Sequence, residues 1–373
     1  DEDLAKYPVE FHGGNGKHQY ADIHTVLVPL QEESGARVLL REAYEHLQLP
    51  IAITECHLHS TREEQMRWFN EMWETVNELK DDGVDIRAIT AWAIFGLYGW
   101  NKLVTEPWGT YEPGVFNVST GCPRPTALAR LLQVLNKHKV YYHPVLETEG
   151  WWKRDTRLQF PANVVSIKSR KQVPRCQPVL ILGKSGTLGA AFSRICAERN
   201  IHHMLLSRAD VDITDRETIE QIIQELHPWA IVNAAGYVRI DDAEKATETC
   251  MDANCKGPSK LAEVCRKYGV KLVTFSSDQV FDGAKEEPYV ESDGVNPLNV
   301  YGQSKALAEA NILKSNPATL VIRTSSFFSP WDQFNFVTDT LVNLKEGRKV
   351  TAAIDRFISP TYVPDLVHEV LDL

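Results

Sequence analysis

Residues 178–192 read PVLILGKSGTLGAAF: an apolar run, three glycines at every third position, then small apolar residues. The run has no polar face, as a strand covered on both sides of a parallel sheet requires. Each glycine has a separate task where such a strand turns into a helix. Gly183 lets the chain turn sharply, Gly186 lets the backbone approach a pyrophosphate, and Gly189 lets the helix pack close to the strand. Beside them, Ser185, Thr187 and Leu188 bring the N–H groups of a helix N-terminus to phosphate oxygens. A strand before and a helix after are the context this glycine pattern needs to mean dinucleotide binding.

The pattern continues outward from that turn. IHHMLLS (201–207), AIVNAAG (230–236), VKLVTFSS (270–277) and ATLVIRTS (318–325) read as further buried strands. Helices are predicted between them at 187–200, 214–226, 246–269 and Tyr301–Leu313. The second of these opens with a capping box, Thr214 as cap and Glu217 as its reciprocal partner. Buried strands alternating with amphipathic helices predict an α/β fold, a doubly wound parallel sheet covered on both faces. Upstream, LPIAITE (49–55) and IRAITAWAIF (86–95) flank a helical segment at 61–83, which predicts one βαβ unit. An eightfold barrel takes about 250 residues, so residues 1–156 read as a partial, barrel-like βα segment. Residues 157–176, with prolines and a basic cluster, read as a linker, and 177–373 as the nucleotide-binding domain.

Ligands of a doubly wound sheet bind beyond the C-terminal ends of its strands. After the second strand stand Ser207, Arg208 and Asp210. The rigid donor fork of arginine suits a 2′-phosphate and favours NADP, while Asp210, within reach of a ribose, keeps NAD open. The fourth strand ends in Ser276, Ser277 and Asp278, and Tyr301 opens the next helix with Lys305 one turn along. A free tyrosine titrates near 10, so the lysine ammonium is expected to stabilise the phenolate and bring that value down. A serine hydroxyl holds a carbonyl oxygen as negative charge develops on it. Tyr98 and Lys102 share the spacing but have no glycine turn or serine-ended strand upstream, and no chemistry is assigned to them.

Composition narrows the partners. Lys and Arg number 40 against 50 Asp and Glu, a net charge of −10, and no basic stripe is present, which argues against nucleic acid or anionic membrane. Seven Cys without a C-x-x-C read as reduced thiols of a cytoplasmic protein, with no disulfide framework and no metal site. No apolar stretch approaches the roughly 18 residues of a membrane span. The chain begins DEDLAKYP, without an initiator Met or signal peptide, and is expected to be a processed or partial product.

Taken in order, seven stretches resemble the dTDP-4-dehydrorhamnose reductases, extended short-chain dehydrogenases built on a Rossmann domain. They are GKSGTLG (183–189), DVDITD (210–215), IVNAAGYVRIDDAE (231–244), SSDQVFDG (276–283), YGQSKALAE (301–309), VIRTS (321–325) and ISPTYVPDL (358–366). The resemblance implies a catalytic set of Ser277, Tyr301 and Lys305, with Lys305 also touching the cofactor. It implies that Asp212 and Ile213 edge the adenine, that Asn233, Ala234 and Ala235 line the cofactor, and that Asp278 and Gln279 face the substrate. The activity implied is NADPH-dependent reduction of the C4 ketone of a dTDP-4-dehydro-6-deoxy sugar, giving dTDP-L-rhamnose; a homodimer is allowed, and the sequence does not fix the oligomeric state. Gln279 stands where that family usually has an aromatic residue, and the chain stops before most of the C-terminal subdomain that grips the sugar nucleotide. A second reading is a non-catalytic NADP-binding regulator, like the related regulatory subunit of methionine adenosyltransferase.

In the first half, IAITECH (51–57), AWAIFGLYGWN (91–101) and YEPGVF (111–116) resemble the last strands of a family-1 glycoside hydrolase barrel. That resemblance makes Glu55 a vestigial nucleophile, and a glycosidase is the third reading. A retaining enzyme needs a second carboxylate about 5 Å away. No Asn-Glu-Pro triplet precedes Glu55 to supply it, and Gly99 stands where the family has a sugar-gripping Glu. Glu55 is therefore expected to be a buried strand-end carboxylate.

Overall fold

The computed structural model describes residues 12–14, 17, 19–21, 35–99, 111–119, 121–154, 177–332, 335–351 and 358–373. The predicted linker and Lys102 lie outside the described residues. The chain divides into two compact units, Asp1–Pro174 with Asp372–Leu373, and Arg175–Leu371.

In the first unit, α1 (Ala36–Leu47) precedes β1 (Ile51–Cys56), α2 (Arg62–Asp81), β2 (Ile86–Ala91) and α3 (Ala127–His138). β1 and β2 pair in parallel across α2, which is the βαβ unit predicted. Ile51, Ile53 and Ile89 close over Val76 and Leu79 of α2, the fit that β-branched residues give on a pleated surface. Among the described residues the parallel sheet of this unit has two strands, a single βαβ unit. Glu55 corrects its expectation: it is exposed. The β1–β2 register is irregular between Ile53 and Cys56, and such a break re-aims side chains. Cys56, not Glu55, turns into the core.

The second unit runs β3 (Val179–Leu182), α4 (Thr187–Glu198), β4 (His203–Leu206), α5 (Arg216–Leu226) and β5 (Ala230–Asn233). It continues with α6 (Thr247–Met251), a π-helical turn at Asp252–Lys256, α7 (Gly257–Tyr268), β6 (Lys271–Ser277) and α8 (Val300–Ser315). β7 (Leu320–Thr324), α9 (Phe336–Lys345) and α10 (Val363–Asp372) complete it. The strands form one sheet in the order β4-β3-β5-β6-β7, every pair parallel. One helix start is corrected: α5 is capped by Asp215, which accepts from the Glu217 N–H, rather than by Thr214.

Alternation along the strands sends side chains to two cores. Leu180, Leu182 and Ile231 meet Ile219 of α5, Leu261 of α7 and Ile312 of α8. On the other face, Val179, Ile181 and Val232 meet Phe192 and Ile195 of α4 and Val367 of α10. Each such side chain contributes about 1.5–3 kcal/mol when fully buried, so burial on both faces, rather than strand propensity, fixes the register. β4 lies on one side of β3 and β5 on the other. The order reverses there, which opens a crevice at the C-terminal ends of β3 and β5. No described helix is long and apolar enough to cross a membrane.

Candidate functional site

The turn after β3 shows what each glycine does. Gly183 takes φ +107°, and a Cβ there would sit 2.7 Å from the Ala234 carbonyl oxygen at the end of β5. A Cβ on Gly189 would sit 2.3 Å from the Gly183 carbonyl oxygen, so α4 reaches the turn only without a side chain. Gly186 differs: its nearest neighbour would be 3.5 Å away and its φ is negative. Packing does not demand glycine there. A side chain would instead stand in the approach to the first N–H groups of α4, a helix start that no side chain caps. Those groups, with exposed Ser185 and half-buried Thr187, fit the phosphates of a dinucleotide. The Leu188 side chain is buried in the core, which leaves its backbone N–H for a ligand.

Just past β4, Arg208 donates from Nε (3.2 Å) and Nη2 (3.0 Å) to Asp212 Oδ2. Asp212 Oδ1 accepts from the Thr214 N–H and hydroxyl. Those bonds hold its carboxyl below the usual range, with Arg208 adding a smaller pull. Two residues expected at different parts of a nucleotide are thus bound to each other. An exposed ion pair is worth about 0.2–1 kcal/mol, so a phosphate can draw Arg208 away at small cost. Asp210 closes the strand-end turn, accepting from the Ser207 N–H and hydroxyl. Ile213 is buried against Gly257, where a Cβ would meet it at 2.8 Å. Asn233 donates to Thr274 Oγ1 (3.2 Å) and accepts from the Ala235 N–H (3.3 Å), while the Ala234 N–H donates to the Leu182 carbonyl (3.0 Å). Residues 233–235 are therefore stitched along the switch-point crevice.

Ser277 ends β6 and Tyr301 lies in the first turn of α8. The Ser277 hydroxyl donates to Asp278 Oδ1 (2.9 Å), accepts from the Gln279 N–H (3.2 Å) and lies near enough to the Tyr301 phenol to bear on its titration. Lys305 Nζ lies 5.8 Å from the Tyr301 ring centroid and donates to the Phe275 carbonyl at 3.0 Å. The three side chains come together, but their titration differs from expectation. Burial pushes the phenol above its usual value, the Ser277 hydroxyl pulls the other way, and the Asp278 charge adds to the rise. Burial also pushes Lys305 down to about 8, against the pull of Cys250 and Glu309. An ammonium destabilised by desolvation is not the source of a lowered phenol pKa here.

Asp278 Oδ2 accepts from the Ser325 hydroxyl at 2.6 Å. Gln279 is engaged with the protein: its Oε1 accepts from Asn299 Nδ2 at 3.0 Å. Asn299 in turn caps α8 by accepting from the Gly302 N–H. That role was legible as an Asn just before a helix, yet sequence reasoning passed over it. Asn254, on the π turn, accepts from the Tyr237 N–H (2.8 Å) and donates to the Tyr237 carbonyl (3.0 Å) and Ser304 Oγ (3.2 Å). It ties the loop after β5 to the helix carrying Tyr301, and no local pattern announces it. In the first unit the missed carboxylate is Glu112, buried and 2.6 Å from His57 Nε2, with Trp92 edge-on to that histidine. Among the described residues no group of three or more His, Cys, Asp or Glu is placed to hold a metal ion.

A parallel sheet with a glycine turn at its switch point defines a dinucleotide-binding α/β protein of the Rossmann type. Residues 177–373 match the family model described as the RmlD substrate binding domain, and the chain belongs to that family. It is 32% identical over 197 residues to a dTDP-4-dehydrorhamnose reductase of Aggregatibacter actinomycetemcomitans, covering 52% of this chain and 66% of that one. It is 31% identical over 195 residues to a dTDP-4-keto-6-deoxy-D-glucose reductase of Streptomyces niveus, covering 52% and 67%. A crystal structure of a dTDP-4-dehydrorhamnose reductase from Bacillus anthracis in complex with NADP aligns at 30% identity and a TM-score of 0.49, covering 52% and 69%. The chain thus spans about two thirds of the length of these curated relatives. The family match lies wholly in the second half, and the glycoside hydrolase resemblance of the first half gains no support from it.

Proposed function

We propose that residues 177–373 bind NADPH and reduce the C4 ketone of a dTDP-4-dehydro-6-deoxy sugar, giving dTDP-L-rhamnose. The observation that carries this reading is the convergence of Ser277, Tyr301 and Lys305 beyond the C-terminal end of β6. The names of the relatives, reductases of dTDP-linked keto sugars, support the substrate class. NADPH supplies the hydride when bound, and the open backbone at Gly186 with the Arg208 fork fits its phosphates. Asp210, committed to its own turn, leaves Arg208 as the selector of NADP over NAD.

In this reading the Ser277 hydroxyl hydrogen-bonds the ketone oxygen, and Tyr301 gives its proton to the alkoxide as charge develops. A phenol pushed upward by burial suits that direction of reaction, because the donor keeps its proton until the alkoxide forms. Lys305, near 8, is mostly protonated at neutral pH and can steady the phenolate left behind. A purely regulatory NADP-binding protein has no need of this set. The test is NADPH oxidation by the purified chain with a dTDP-4-dehydro-6-deoxy sugar. Turnover is expected; saturable NADPH binding with no turnover would favour the regulator.

A further inference from the structure

Ser276 is the strand-end hydroxyl that the proposed chemistry does not use. Between β6 and α8 lies a cavity of ≈ 10 Å³, lined by Asn254, Ser276, Lys305 and Glu309 among apolar Ala308 and Val321. Space of that order holds one water, provided it finds two to four polar partners. The Asn254 side chain is already spent on Tyr237 and Ser304. Ser276 is 5% exposed and its hydroxyl has no hydrogen-bond partner in the protein, an unfavourable state for a buried polar group. Glu309 accepts from Arg323 at Oε1 (3.0 Å) and Oε2 (2.7 Å), which leaves lone pairs on both oxygens. Lys305 uses one donor on the Phe275 carbonyl, and an ammonium carries three.

We propose that this cavity binds one water, held by Ser276 Oγ, Glu309 and Lys305 Nζ, through which Ser276 and Glu309 keep the lysine ammonium charged. Ser276 and Glu309 are then positioning residues for Lys305. The titratable groups around that ammonium are Tyr301 and Glu309 on α8 and Cys250 on α6, with Asp278 beyond the phenol. Of these, Glu309 also lines the cavity. The meaning of the inference rests on Lys305 serving catalysis, but its test does not.

Lysine side-chain NMR of the full chain without cofactor reads the Lys305 pKa with no turnover, and Lys305→Met assigns the signal. Ser276→Val fills the cavity and expels the water, whereas Ser276→Ala removes one partner and leaves the space. Ser276→Val and Glu309→Gln are each expected to lower the Lys305 value by about one unit, a tenfold loss of proton affinity, and Ser276→Ala by less. Circular dichroism checks that each variant is folded. Should Glu309→Gln not fold because Arg323 loses its partner, Ser276→Val decides alone. A folded Ser276→Val whose Lys305 value stays within about 0.2 unit of the unmutated protein overturns the inference, whether or not the chain reduces a sugar.

Discussion

Tyr301 holds its proton because a phenolate there would be buried and would face the Asp278 charge. Tyr301→Phe keeps the ring and removes the donor, so turnover should fall by at least about 10²-fold while NADPH affinity stays nearly unchanged. Full turnover by that variant, in the same NADPH-oxidation assay, would place the proton elsewhere. In the proposed reading Arg208 exchanges Asp212 for a 2′-phosphate when NADPH binds. Titration should show NADPH bound more tightly than NADH, and Arg208→Ala should erase most of the difference; equal affinities in the unmutated protein would sink the assignment. Both residues were legible because a Tyr-x-x-x-Lys helix start and a basic strand end are local patterns. Their partnerships were not. Asp212 on Arg208 closes within the one irregular loop after β4, and Gln279 on Asn299 joins the turn after β6 to the start of α8; neither follows a period in the sequence.

Helix α8 places the proposed acid through its first turn, and that turn is held from outside. Asn299 accepts from the Gly302 N–H and is itself held by Gln279. Gly302 packs so closely that a Cβ would lie 2.1 Å from the Gln279 carbonyl oxygen. Asn299→Ala should cost about 1 kcal/mol of stability and lower kcat more than it weakens NADPH binding, with Asn299→Asp restoring most of both; an unchanged kcat in the folded alanine variant would show that the cap does not position Tyr301. The strands of this unit were readable because burial on two faces writes an uninterrupted apolar run. The break in the helix around Asp252–Lys256 was not, since a π turn leaves no period of its own in the sequence. The start of α5 was misread by one residue because Thr214 and Asp215 are both good caps, and the structure uses the aspartate.

The two units invite separate measurements on one chain. Glu55 is exposed beside an irregular strand pairing, and Glu112, the buried carboxylate of this unit, is already held by His57. Glu55→Gln should therefore leave NADPH binding and oxidation unchanged, and release of nitrophenol from an aryl glycoside, lost on that substitution, would give the first unit an activity of its own. The second unit carries a pH signature. Lys305 is held near 8 against an ordinary value of 10.5, so the folded state binds its proton less tightly than the unfolded chain. Below about pH 8 both states are protonated and the full penalty applies: 10.5 minus about 8 is roughly 2.5 units, or ~3 kcal/mol. Between 8 and 10.5 the unfolded chain holds more protons, so this site's contribution to stability rises with pH; above 10.5 the penalty is gone. Lys305→Met removes the titration, and its gain in stability over the unmutated protein should be largest near neutral pH and shrink toward 10.5. Denaturant melts can follow this in the transition that NADPH shifts, which marks the nucleotide-binding unit. A gain that stays flat across that window would mean that Lys305 is not desolvated as its burial implies and keeps its proton up to its ordinary value of 10.5.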